Sequence, residues 1–237
     1  MIKILIFTVL SAFAKGPADF DDAKRILSKN LDLFENKTVY CGCVVKGKKV
    51  DLASCGYKPQ KNSSRSTKME FEHVVPAEAF GQSFAEWRNG SPKCFKKGKK
   101  MSNRKCAGTN PLFAKMEGDV YNLFPEIGEL NMLRSNYSMA QLSGASGKFG
   151  KCAVKLEDKK FEPSDSAKGV VARTYMHMEA RYPGRGIISS KNEKLFQAWD
   201  KMFPLTKQEC KRWEKLKAIT GQAHALSSRC KGSLASR

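Results

Sequence analysis

Apolar residues recur at helical spacing from Asp19 to Leu33, with Phe20, Ala23, Ile26, Leu27 and Leu31 near one face, which predicts an amphipathic helix. Two β-rich runs, Thr38 to Val45 and Val50 to Ala53, flank a basic Gly-containing turn at Lys46–Lys49 and predict a hairpin. Gly56 to Lys68 is polar and basic and reads as an exposed loop. Met69 to His73 is a candidate strand. Pro76 suits the first turn of a helix running toward Trp87, and Pro111 that of another reaching about Gly118. Tyr121 to Pro125 predicts a short strand, followed by a helix or turn carrying Glu129, Asn131 and Arg134. Beyond a Gly/Ser linker at Gly144–Gly150 come three helical patterns, Lys168–Tyr182, Asn192–Phe203 and Lys207–Ile219, the last turning Trp213 and Leu216 inward. Strands and helices are mixed without internal repeat, so the expectation is α+β. Cys152 lies just past the linker and could tie the parts, which favours one domain.

The N-terminal stretch changes the picture of where the chain acts. Lys3 precedes an apolar run from Ile4 to Ala14 that ends in Ala12-Phe13-Ala14, an A-x-A cleavage pattern. This predicts a signal peptide at residues 1–14 and a functional domain at 15–237. The run is too short to span a bilayer as a helix, so no stable membrane insertion is expected. Eight cysteines fit an oxidising compartment and predict up to four disulfides. Local spacing favours Cys94–Cys106 and Cys210–Cys230, leaving Cys41, Cys43, Cys55 and Cys152 to pair among themselves. There is no C-x-x-C pair, and His73, His177 and His224 lie far from metal-site spacing, which argues against zinc.

With 43 basic against 23 acidic residues the net charge is +20, or +19 once Lys3 leaves with the leader. Such a field steers polyanions inward and makes their binding salt-sensitive. Nucleic acid is the leading candidate, ahead of anionic lipid or cell wall. The basic residues cluster in loops rather than on an amphipathic helix, which disfavours a membrane-active protein.

The chemistry concentrates at Glu70–Pro76. A histidine can take a proton from water near neutral pH, and a neighbouring carboxylate can hold a hard cation. Taken alone, a histidine beside a glutamate at a strand end is usually a surface pair, Asn131 a turn or capping residue, and Glu117 a solvated helix face. His177 and the three tryptophans read as structural.

At Glu72-His73-Val-Val-Pro-Ala77 the chain resembles the bacterial endonuclease I family. The likeness continues through Gly81, Trp87, Asn89-Gly90, Arg104-Lys105-Cys106, Met116-Glu117, Tyr121–Pro125, Ile127-Gly-Glu129, Asn131 and Arg134-Ser-Asn136. It returns at Ala172–Tyr175, Arg181-Tyr182 and Leu195–Trp199, and so spans about Leu31 to Ile219. The resemblance implies a single-domain ββα-metal (His-Me finger) nuclease. Such an enzyme would cut DNA, and RNA, without sequence preference, in the periplasm or outside the cell. It implies one divalent ion, Mg²⁺, whose place Mn²⁺ or Ca²⁺ could take, and products with 5′-phosphate and 3′-hydroxyl ends. His73 falls on the family's general base, Glu72 and Asn131 on its metal ligands, Glu117 on an acidic residue near the metal, and Arg104 on the arginine that holds the scissile phosphate. A monomer is expected.

Two regions depart from the family pattern. The loop at Ser91–Met101 is longer and richer in lysine, either a solvated insertion or an arm that tracks phosphates without reading bases. The tail from Gly221 to Arg237 has its own ending, with Cys230 as a possible staple. The competing functional reading is a catalytically inactive, basic nucleic-acid-binding protein of the envelope, which should lack His73, Glu72 or Asn131; all three are present.

Overall fold

The computed structural model describes residues 16–60 and 64–231. The expected signal peptide at residues 1–14 lies outside the described residues. Helix α1 spans Phe20–Ser28; its N-cap Asp19 accepts from the Asp22 N–H at 2.9 Å, and Ala23 and Leu27 are buried. The helix stops short of the expected Leu33 because Asn30 leaves helical φ and its amide donates to the Ile26 carbonyl at 2.8 Å. A 3₁₀ turn, Leu31–Phe34, follows. Strands β1 (Val44–Lys46) and β2 (Lys49–Asp51) form the expected hairpin in shorter form, turning at Gly47 with φ +60°. Residues 38–43 close a turn instead, with the Thr38 N–H donating to the Cys43 carbonyl at 2.9 Å.

Strand β3 is Met69–His73. The single helix expected from Pro76 to Trp87 is two, α2 (Ala77–Gly81) and α3 (Ala85–Arg88). The chain folds back because Gly81 has no side chain. A Cβ there would lie 2.4 Å from the Trp87 ring, which packs against that bare backbone.

The lysine-rich loop is ordered into structure rather than left as solvated coil. It forms a hairpin of β4 (Phe95–Lys96) and β5 (Lys99–Lys100), then α4 (Asn103–Ala107). Helix α5 (Pro111–Glu117) has Pro111 in its first turn and Asn110 as N-cap, as the proline signal predicts. Strand β6 (Leu123–Ile127) pairs antiparallel with β3, setting Glu72 opposite Phe124 and His73 opposite Leu123. Helix α6 (Gly128–Arg134) follows β6 without a loop.

The three-stranded sheet has no counterpart in the sequence reading. Strands β7 (Ser138–Met139), β8 (Lys155–Glu157) and β9 (Lys160–Glu162) lie in the order β7-β9-β8. Helices α7 (Asp165–Arg181), α8 (Ser190–Met202) and α9 (Lys207–Thr220) complete the fold close to their expected bounds. The last opens with a capping box between Thr206 and Glu209.

The core has two parts, and the β3–β6 ribbon lies between them. Phe124 joins the larger, with Tyr40, Phe80, Phe113, Phe161, Phe196 and Trp199; Phe71 joins the smaller, with Ala23, Leu27, Tyr121, Cys210 and Trp213. Alternate residues of one ribbon thus face opposite cores. The result is a mixed helix-and-strand single domain. Its disulfides are Cys41–Cys152, Cys43–Cys55, Cys94–Cys106 and Cys210–Cys230, leaving no free cysteine. Both locally favoured pairs form, and the remaining four cysteines pair among themselves.

Candidate active site

The C-terminal end of β3 borders a groove of about 1000 Å³ lined by Glu72, His73, Arg104, Asn131 and Arg134. Lys24, Lys48, Lys49, Arg65 and Lys68 also border it, so its field is cationic. Four of the five sequence-predicted site residues therefore meet in one place. Glu117 is the exception: its carboxylate borders an adjoining cleft instead.

His73 closes the strand and is only 8% exposed. Its Nε2 lies 2.8 Å from the backbone carbonyl oxygen of Glu117. A carbonyl only accepts, so Nε2 carries the proton and Nδ1 keeps its lone pair. Burial, followed by the positive charge of Arg104, pulls the imidazole's pKa down to about 3. The ring is therefore neutral at physiological pH, as a proton acceptor must be. The phenyl ring of Phe20, from α1, lies against it at 4.5 Å between centroids.

Glu72 is a buried carboxylate, at 2% exposure. Its Oε1 accepts the Tyr40 hydroxyl at 2.8 Å and lies 3.3 Å from Arg134 Nη1. Burial outweighs both partners and lifts its pKa to about 7. Oε2 takes no hydrogen bond among the described residues. Arg134 ties this corner together from α6. It donates to the His73 carbonyl at 3.1 Å and the Val74 carbonyl at 2.6 Å, fixing the backbone on which both site residues stand.

Asn131, one turn earlier on α6, donates from Nδ2 to Glu70 Oε2 at 3.1 Å. Glu70 is itself gripped by Arg65, whose Nε donates to Oε1 at 2.8 Å. A carboxylate accepts only, so the amide nitrogen must face Glu70, and Oδ1 is the atom left for a ligand. Arg104 stands on α4 with its side chain about half exposed and pairs with the Glu117 carboxylate. Glu117 thus serves two neighbours, Arg104 through its side chain and His73 through its backbone.

Among the described residues no three His, Cys, Asp or Glu side chains come together as a metal cluster. The donors that the corner offers are oxygens, one from a buried carboxylate and one from an oriented amide. That set fits a hard cation such as Mg²⁺, which keeps several waters and leans on substrate phosphate. It would not fit zinc.

Tyr40, Glu70, Arg134 and Phe20 were not recognised as site residues from sequence. Glu70 left a trace, since it alternates with Glu72 and shares its face of β3. The other three act across long sequence separations. His177 and His224 stack on one another at 4.3 Å in the smaller core, with Trp213 against His224 at 3.7 Å. Both are buried against aromatic rings, and His177 also accepts the Ala225 N–H on Nδ1 at 2.9 Å and lies 3.3 Å from an Asp119 carboxylate oxygen.

Fold and site together define a disulfide-braced α+β protein with a buried, neutral imidazole at the edge of a cationic groove. Comparison with known proteins agrees. The Endonuclease I family pattern matches residues 23–225. The chain is 43% identical over 183 residues to a protein named endonuclease-1 from Buchnera aphidicola subsp. Acyrthosiphon pisum, covering 75% of this chain and 67% of the relative. It is 37% identical over 195 residues to an extracellular deoxyribonuclease of Aeromonas hydrophila, covering 79% of each. A periplasmic deoxyribonuclease of the same organism is 37% identical over 194 residues, covering 79% of this chain and 76% of that one. The chain belongs to the endonuclease I family.

Proposed function

We propose that this protein is an exported, non-sequence-specific endonuclease that hydrolyses phosphodiester bonds of DNA, and of RNA, with the help of one Mg²⁺ ion. The observation that carries the reading is the His73 imidazole, buried, neutral and locked by the Glu117 carbonyl, its Nδ1 without a hydrogen-bond partner among the described residues. The names of the relatives support action on DNA in the periplasm or outside the cell. No helix among the described residues is long and apolar enough to cross a membrane. The order β3, β6, α6 supplies two antiparallel strands and a helix that suit a ββα-metal unit.

His73 takes the proton of the attacking water on Nδ1, and the Glu117 carbonyl steadies the imidazolium that forms. Glu72 and Asn131 would hold the cation through Oε2 and Oδ1. When bound, the ion supplies positive charge to the phosphate and to the departing 3′ oxygen. Arg104 aligns the scissile phosphate through paired N–H donors, which a lysine could not do. Its present partner Glu117 holds it ready at the groove edge. As the water oxygen bonds to phosphorus the P–O3′ bond breaks, and the departing 3′ oxygen takes a proton from solvent water, leaving 5′-phosphate and 3′-hydroxyl ends.

Cleavage of plasmid by oxidised protein, with Mg²⁺ or with EDTA and beside His73→Ala, tests the reading. Wild type should cut only with Mg²⁺, and the variant should retard DNA on a gel without cutting it. Tight binding by wild type with no cleavage in Mg²⁺ would instead establish a nucleic-acid-binding protein.

A further inference from the structure

The hairpin β4–β5 is unused by the chemistry above. Every residue from Phe95 to Lys100 is exposed, and Lys97 and Gly98 turn it with positive φ of 51° and 73°. Lys96, Lys97, Lys99 and Lys100 form no ion pair among the described residues. Four unpaired cations within six successive exposed residues repel one another, so the hairpin is held by other means. The Cys94–Cys106 disulfide joins its base to α4, and the Met101 N–H donates to the Cys94 carbonyl at 2.8 Å. The helix so joined is the one that carries Arg104.

Behind the hairpin lies a cleft of about 1140 Å³ between β4–β5 and α1. Phe20 and Arg104 border both this cleft and the catalytic groove, so the two spaces meet at the phosphate-gripping arginine. The carboxylates bordering the cleft are engaged: Glu117 by Arg104, Asp21 by Lys24 at 2.7 Å, and Asp19 as the cap of α1. The lysines are left as the uncommitted charge.

We propose that this hairpin and the cleft behind it form a second binding subsite, which takes the sugar-phosphate backbone of the same nucleic-acid molecule whose reacting phosphate lies at Arg104. The inference rests on the nuclease reading and deepens it. A charged, base-blind arm rigidly fixed to the Arg104 helix lengthens the grip on the substrate without adding sequence preference. It favours long substrates over short ones. Exposed Phe95 offers an apolar face at the edge of the same surface.

The test is K96A/K97A/K99A/K100A compared with K191A/K194A/K201A/K211A, which removes equal charge from exposed positions on α8 and α9. Binding of a fluorescent duplex is followed in EDTA across a salt series, so no cleavage is needed. The hairpin variant should lower the log–log salt slope by about 2 to 3.6, at roughly 0.9 for each phosphate that the protein no longer neutralises. The control variant should lower it far less. In Mg²⁺, the hairpin variant's loss of kcat/KM should be at least about tenfold larger on plasmid than on a dinucleotide. Equal slopes for the two variants would mean that net charge alone acts, and would overturn the subsite. So would polyglutamate competing as well as DNA at equal charge, which would point to an acidic protein partner. Wild-type protein that binds with the predicted slope but never cleaves would retire the nuclease reading and leave the subsite standing.

Discussion

The phenyl ring of Phe20 lies 4.5 Å from the imidazole of His73, tilted by 49° between planes. The Arg104 guanidinium lies 5.6 Å from the same ring, so one aromatic side chain sits between the two residues assigned to proton transfer and phosphate alignment. Its helix is held close, because Gly118 leaves room for the Asp19 carbonyl, which a Cβ would approach to 2.5 Å. Phe20→Ala should therefore lower kcat by about tenfold to a hundredfold through loss of alignment, with little change in KM. Phe20→Leu should recover part of it. A rise in KM with kcat intact would show that the ring contacts substrate instead.

Glu72 gives a pH dependence with a definite sign. Its pKa is raised to about 7 by burial, so a fraction of the carboxyl is protonated in the metal-free protein near neutrality. A cation needs the ionised form and must expel that proton. Mg²⁺ affinity should fall about tenfold per pH unit below this value and level off above it. Titration calorimetry in two buffers of different ionisation enthalpy should detect proton release at about pH 6. Binding without proton release would show that Glu72 is not a ligand.

Arg134 is 1% exposed and pairs with Glu72 while holding the carbonyls of His73 and Val74. Arg134→Met leaves Glu72 buried beside an apolar group. Urea unfolding should show a loss of about 3–5 kcal/mol, and cleavage should fall with it. A change under about 1 kcal/mol would mean that the corner is held by other contacts.

Cys41–Cys152 joins residues 111 apart in sequence and closes the largest loop in the chain. Replacing both cysteines by serine should cost about 4–5 kcal/mol in the chain-entropy description. Thermal unfolding of this pair variant should begin earlier than that of a Cys43/Cys55 serine pair, whose loop is shorter by far, at a separation of 12. Activity should decline in parallel under reducing conditions. A fully reduced protein that unfolds and cuts like the oxidised one would refute the dependence.

What the chain determined locally was legible. The strand at Met69–His73, the proline start of α5 and the three C-terminal helices each follow from side-chain period and turn signals within one segment. The pairings Cys94–Cys106 and Cys210–Cys230 follow from nearness in sequence. The candidate site residues His73, Glu72, Arg104 and Asn131, which line one groove, could be picked out from residue type and from likeness to a family. Tertiary structure decided which groups surround them. The Nε2 partner of His73 is a backbone carbonyl 44 residues away, and a carbonyl leaves no mark on residue identity. Tyr40, 32 residues from Glu72, and Arg134, 61 from the His73 carbonyl it holds, meet them only once β3 is packed between two cores. The break between α2 and α3 depends on a tryptophan ring filling the space over Gly81, and the order in the lysine hairpin on a disulfide to α4. Periodicity reports which face of an element is buried; which groups from distant elements meet there is set by packing, and burial at that meeting point moves the proton affinities of His73 and Glu72.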